Sequence, residues 1–165
     1  MKRVFPYRAN RRTLYLSLLH IVVLALAGWG LRSLYVGGYL SAWFLSLVGA
    51  LVALMALSIP RKIVVREATV EILCLLDMTE IPRIEIASVQ RIDRRQMRWI
   101  VPLLGSYGFF GYYGYYFDLK NFEKVVVYAT EWRNLVEIVD IYEQRYYVSC
   151  SRAEELVALL QPACE

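Results

Sequence analysis

Two long apolar runs separated by eight residues constrain this chain more than any other feature. Leu14 to Leu31 is broken only by His20, and Leu40 to Ile59 carries no charge. About 20 residues of helix at 1.5 Å per residue cross the ~30 Å hydrocarbon layer of a bilayer, and backbone in lipid must be helical to satisfy its own hydrogen bonds. Arg32 to Tyr39, with the Gly37-Gly38 pair, is too short for a folded extramembrane element and suits a tight turn. The reading is a helical hairpin, with spans at about 14–31 and 40–59, followed by one soluble domain over 61–165. Ser46, Gly49, Ala50 and Ala53 give the second helix a face of small residues that permits close helix packing.

The basic residues set the orientation. Lys2, Arg3, Arg8, Arg11 and Arg12 precede the first run, Arg61, Lys62 and Arg66 follow the second, and Arg32 alone lies between. The positive-inside rule then places both termini in the cytoplasm and the chain in the inner membrane as a multi-pass protein. A cleaved signal peptide over residues 1–27 competes with this, since Ala25-Leu26-Ala27 resembles a cleavage site. A second apolar run so close behind speaks against it, as do three cysteines, Cys74, Cys150 and Cys164, without the spacing of a disulfide framework.

A sequence pI near 9.0 invites a nucleic-acid reading. The charge map removes most of its force, because residues before 61 hold six bases and no acid, whereas residues 61–165 hold thirteen bases against fifteen acids. The excess basicity belongs to the membrane flanks.

Beyond Pro60 the pattern shifts to short β-branched runs: 62–66 (KIVVR), 70–76 (VEILCLL), 79–86 (TEIPRIEI), 124–130 (KVVVYAT), 134–140 (NLVEIVD) and 145–149 (RYYVS). Ser151 as N-cap, Glu154 three residues later and Leu156, Val157, Leu159 and Leu160 then predict a helix that Pro162 ends. A meander closed by one helix implies a strongly curved sheet or open barrel with the helix plugging one end.

That element order, the IPRIEIASV stretch at 81–89, the Gly/aromatic GSYGFFGYYGYY stretch, YAT followed by NLVEIV, and YYVSCSRAEEL together resemble bacterial membrane-anchored pleckstrin-homology-like (PH-like) domain proteins. The likeness covers roughly residues 60–161. It implies a membrane α-helical hairpin joined to a mainly-β PH-like barrel, two orthogonal antiparallel sheets capped by a C-terminal helix, and no catalytic signature.

Two segments are candidates for binding. Arg91, Arg94, Arg95 and Arg98 fall on one face if 90–99 is helical, forming a guanidinium stripe for anionic lipid headgroups or a small anionic ligand. A solvated charged loop is the plainer alternative, and Asp93 interrupts the stripe. Gly105, Gly108, Gly111 and Gly114 recur every third residue among Tyr107, Phe109, Phe110, Tyr112, Tyr113, Tyr115 and Tyr116. Bendable backbone with amphipathic rings suits an interaction surface, whether with the membrane interface or with protein. A glycine-kinked strand or loop packed over the barrel is the plainer alternative, and stacking on a ligand is a third.

His20 inside a span is a candidate proton or metal contact, or a neutral histidine bonded to a neighbouring helix. The cysteines match no metal template, and no Ser/His/Asp or Cys/His set is available outside the apolar runs. The function expected is a non-enzymatic interaction or scaffold module at the cytoplasmic membrane face, without metal or cofactor. Its expected partners are membrane lipids and either a protein or further copies of itself, and not nucleic acid. Anionic-ligand binding and a role as accessory subunit of a transporter or envelope complex are the alternatives.

Overall fold

The computed structural model describes residues 2–7, 11–34, 39–57, 59–75 and 77–161. A short strand β1 (Arg3–Pro6) precedes the helices α1 (Arg11–Leu34) and α2 (Tyr39–Leu57). The strands β2 (Pro60–Val65), β3 (Thr69–Cys74), β4 (Met78–Pro82), β5 (Ile86–Ile92), β6 (Ile100–Tyr107), β7 (Tyr112–Asp118), β8 (Glu123–Ala129), β9 (Leu135–Asp140) and β10 (Arg145–Ser149) follow, and α3 (Ala153–Leu160) comes last.

The strands form two sheets, one in the order β1-β2-β3-β4 and one in the order β5-β9-β10-β8-β7-β6. The sequence reading begins the soluble domain at residue 61, after the basic segment and the helices. Instead β1 pairs antiparallel with β2, Pro6 opposite Lys62 and Arg3 opposite Val65. The alternation of its side chains explains why: Phe5 is fully buried between exposed neighbours and joins Ile63, Val70 and Leu156 in the core. Burial of a ring of that size is worth about 2–3 kcal/mol. Arg152 fastens the strand from the other side, donating to the Val4 carbonyl at 2.9 Å and covering the Phe5 ring at 4.8 Å. The two helices are therefore an insertion between paired strands.

In the larger sheet β8 and β10 run parallel, a departure from the antiparallel barrel the resemblance implies. The cause is topological. β9 settles one strand's width away from β8, and β10 turns back antiparallel to β9 to fill the gap. One core lies between the four-stranded sheet, α3 and strands β5, β9 and β10; a second, of Ile100, Tyr112, Tyr116, Val125, Val127 and Tyr147, lies within the curl of the six-stranded sheet.

Several local expectations change. The 79–86 run is not one strand, because a 3-10 turn at Arg83–Glu85 follows Pro82 and carries the chain from one sheet to the other. Residues 90–99 do not form a helix; Arg91 belongs to β5, and a turn plus the 3-10 segment Gln96–Trp99 leads into β6. Ser151 does not cap α3, whose N-cap residue is Arg152 with no side-chain capping bond. Pro162 and Cys164 lie outside the described residues.

Among the described residues one helical stretch, Thr13–Ser33, is long and apolar enough to cross a membrane, with mean hydropathy 2.0 and 11% buried. Among the described residues the apolar stretch of α2, Ala42–Leu54, is shorter and does not meet that length. Residues 35–38, which include Gly37-Gly38, are outside the described set. The helices meet at Gly28, where a Cβ would stand 2.9 Å from Leu45 Cδ2. The small residues expected to form the contact, Ser46, Gly49, Ala50 and Ala53, are exposed instead.

Candidate functional site

The Gly/aromatic stretch forms the β6–β7 hairpin, and its tip is docked on the first turns of α1. Thr13 and Ser17 are buried despite lying on an apolar helix. Thr13 Oγ1 donates to the Thr130 carbonyl at 3.0 Å, and the Phe110 amide donates to Ser17 Oγ at 2.7 Å. The Phe109 ring meets the His20 ring edge-on with centroids 6.2 Å apart. Thr13, Ser17 and His20 follow an i, i+4, i+7 spacing, so one polar stripe faces the hairpin. That spacing is the sequence signal that marks this contact.

Inside the hairpin Gly105 faces Gly114 across the ladder, both at positive φ (144° and 109°). A Cβ on either would overlap the opposing backbone, so the two strands approach here more closely than any side chain permits. Of the aromatic residues read as surface, Phe109, Tyr112, Tyr113 and Tyr116 are buried and Phe110 is half-buried; Tyr107 and Tyr115 stand exposed. Burial pushes the hydroxyls of Tyr116 and Tyr113 above their ordinary pKa.

A second feature is a polar cleft of about 290 Å³ around Glu137 of β9. The Glu137 carboxylate is buried and accepts from Gln90 Nε2, from Tyr147 OH at 3.1 Å and from Arg145 Nη1 at 3.3 Å. Arg145 also pairs through Nε with Glu123 Oε2 at 2.9 Å. Burial lowers the pKa of the Arg145 guanidinium, but Glu123 and then Glu137 outweigh it and leave the value raised. Tyr147 is shifted upward by burial and by the adjacent Glu137 charge. Trp99, Arg95 and Lys120 line the mouth.

The four arginines do not act as one stripe. Arg91 pairs with Glu154 at 2.5 Å, whereas Arg94, Arg95 and Arg98 line one open concavity with Asp93 and form no ion pair among the described residues. Arg98 and Trp99 lie at the Asp118 end of the β6–β7 hairpin, the end remote from the tip docked on α1, since Ile100 pairs with Asp118 and Tyr107 with Tyr112. At ~3.3 Å per residue the two ends are about 23 Å apart. Leu119, Phe122, Ile141 and Tyr142 also stand exposed on the turns at that remote end, Phe122 at 77% and Tyr142 at 72%.

His20 bonds to its own helix, Nδ1 to the Leu16 carbonyl at 2.7 Å, rather than to a neighbouring one. Among the described residues no group of three or more His, Cys, Asp or Glu side chains gathers into a metal site. Cys74 and Cys150 are buried free thiols, and burial followed by the charge of Asp77 pushes Cys74 to about 11.

No curated protein and no solved structure matches the chain. A family model described as the bacterial PH domain matches residues 61–163, a span that leaves out β1 and both N-terminal helices. The two sheets and closing helix fit that fold, and the chain belongs to the bacterial PH-domain family.

Proposed function

We propose that this protein is a non-enzymatic, membrane-anchored interaction module, held by its helical pair on the cytoplasmic face of the inner membrane and offering the remote end of its PH domain to a protein partner. The observation that carries the reading is the pairing of β1 with β2. A segment that leaves a sheet at Pro6 and rejoins the adjacent strand opposite it at Lys62 returns to the side it left. If α1 crosses a bilayer, α2 must bring the chain back. Arg3, Arg11, Arg61, Lys62 and Arg66 cluster by sequence at that return point, as the positive-inside rule asks of a cytoplasmic flank.

The remote end supports a protein partner because it combines exposed rings with free guanidinium groups. Trp99, Phe122 and Tyr142 beside Arg94, Arg95 and Arg98 have the composition of interaction hot spots. Anionic-ligand binding is the second reading, supported by the shared concavity of Arg94, Arg95 and Arg98. The partner can equally be a second copy of the chain. Mass spectrometry of the intact assembly extracted in mild detergent tests these readings. A stoichiometric protein partner, or a homo-oligomer, that is retained at high salt and lost in the F122A/Y142A variant supports the first. A bare monomer whose anionic lipid is lost at high salt and in the R94Q/R95Q/R98Q variant supports the second.

A further inference from the structure

Resting on the proposed crossing by α1, we infer that the tip of the β6–β7 hairpin, with Tyr107 and Trp132 beside it, is immersed in the headgroup layer, so that the lipid surface is a direct partner of the PH domain.

Helix length carries the argument. α1 has 24 residues, about 36 Å of helix at 1.5 Å per residue. The tip reaches His20 through Phe109, and a Cβ on Gly108 would stand 3.5 Å from Leu16 Cδ1. If everything level with the tip stayed outside the lipid, only Ile21 to Leu34 of α1 would remain to cross among the described residues. Those fourteen residues give about 21 Å, well short of the ~30 Å hydrocarbon core. The first turns of α1 must enter the membrane, and the tip bonded to them enters with it.

The hairpin is built for that environment. From Ile100 to Phe117 the chain carries no charged residue. Leu103, Leu104 and Tyr107 are exposed, and Trp132 packs on Tyr112 with centroids 4.4 Å apart and on Tyr107 at 6.3 Å. Exposed Tyr and Trp rings with apolar neighbours favour the headgroup level. Backbone entering lipid also needs internal partners. Here the Gly108 amide donates to the Gly111 carbonyl at 2.9 Å, Ser106 Oγ donates to the Phe109 carbonyl at 2.5 Å, and the Phe110 amide is held by Ser17. In this arrangement the aromatic tip faces the lipid, and Arg98 lies at the far end of the hairpin.

The test uses the full chain in vesicles of phosphatidylcholine and phosphatidylglycerol, with single-tryptophan reporters and either nitroxide-labelled lipids or aqueous acrylamide as quencher. One reporter is Y107W with the four native tryptophans changed to Phe; the others retain only Trp132, only Trp99 or only Trp29. The inference expects Y107W and Trp132 to show blue-shifted emission, strong quenching by lipids labelled near the headgroup and little by acrylamide, with the reverse for Trp99. The Trp132 reporter leaves the tip unaltered and serves if Y107W does not fold. Acrylamide quenching of both tip reporters, with Trp29 quenched by lipid, overturns the inference and leaves the membrane crossing standing. Loss of lipid quenching at Trp29 as well overturns both.

Discussion

The Phe110 amide, at the tip of a β-hairpin, donates a 2.7 Å hydrogen bond to Ser17 Oγ, 93 residues earlier on α1. Ser17 Oγ in turn donates to the Thr13 carbonyl at 2.8 Å, and Thr13 Oγ1 reaches the Thr130 carbonyl, so one helix face is bonded to two loops of the domain. Each bond contributes about 1 kcal/mol, and a buried donor stripped of its partner costs about 1–3 kcal/mol. We expect S17A to speed amide hydrogen exchange over residues 108–111 by roughly fivefold or more, the rate equivalent of about 1 kcal/mol. The S17A/T13V pair should be non-additive, because the two side chains share one network. Unchanged exchange in both variants would contradict the docking.

The Gly105–Gly114 pair should tolerate no side chain. G105A or G114A places a Cβ against opposing backbone at positive φ and should cost about 2 kcal/mol or more in urea unfolding in detergent. Gly49 has nothing within 4 Å of its Cβ position, so G49A should leave stability unchanged or raise it by up to about 1 kcal/mol. Equal effects at the three positions would refute the close-approach account.

Strand β1 should be part of the fold although it lies outside the family-matched residues. F5A removes a buried ring from the core and should cost about 3–5 kcal/mol, comparable with a substitution inside the matched span such as L156A. A cost under about 1 kcal/mol would show β1 to be an accessory.

Breaking the Glu137 network from the arginine side leaves a buried carboxylate with only its neutral partners. R145M should cost about 2–3 kcal/mol, below the 3–5 kcal/mol of a fully buried pair, because the Arg145 side chain is 31% exposed. E137Q keeps shape and most hydrogen bonds and should cost less. Urea midpoints of the two variants decide, and the reverse order would contradict the burial of Glu137.

Alkali should unfold the domain. Cys74 is raised to about 11 by burial and then by Asp77, and Tyr7, Tyr128, Tyr147 and Cys150 are also raised, in each case chiefly by burial. A group whose folded pKa exceeds its unfolded value contributes stability in full below the unfolded value and loses it as pH rises toward the folded one. For Cys74 that window runs from the unfolded value of 9.0 to about 11. The contribution of these groups should be constant below about pH 9 and be lost above it, and Cys74 should resist maleimide at neutral pH until urea is added. A free-energy profile that rises through this window would refute the assignment.

Much of the β-domain was legible because the Val and Ile runs 63–65 and 125–127 are β-branched and buried on both faces, and 135–138 is buried throughout. What escaped did so for identifiable reasons. β6 and β7 carry glycines every third residue, which conceals the strand period of two. Arginines at 91, 94, 95 and 98 imitate a helical stripe, but Ile92 is pinned to Leu135 in the sheet, and the chain past it must turn to reach β6. β1 is four residues long and its partner lies beyond both helices, a pairing no local pattern reports. The docking of the hairpin on α1 was written in Thr13, Ser17 and His20, polar residues sharing one face of an apolar helix.

The most direct test of the account is the sidedness of the two strands that flank the helical pair. Cysteines introduced one at a time at Lys2 and Lys62, each in a background with Cys74, Cys150 and Cys164 changed to Ser or Ala, would be probed with a membrane-impermeant maleimide in intact spheroplasts and again after lysis. Labelling of both positions only after lysis is the predicted result. Labelling of one position in intact spheroplasts and of the other only after lysis would contradict the insertion of the helices between paired strands.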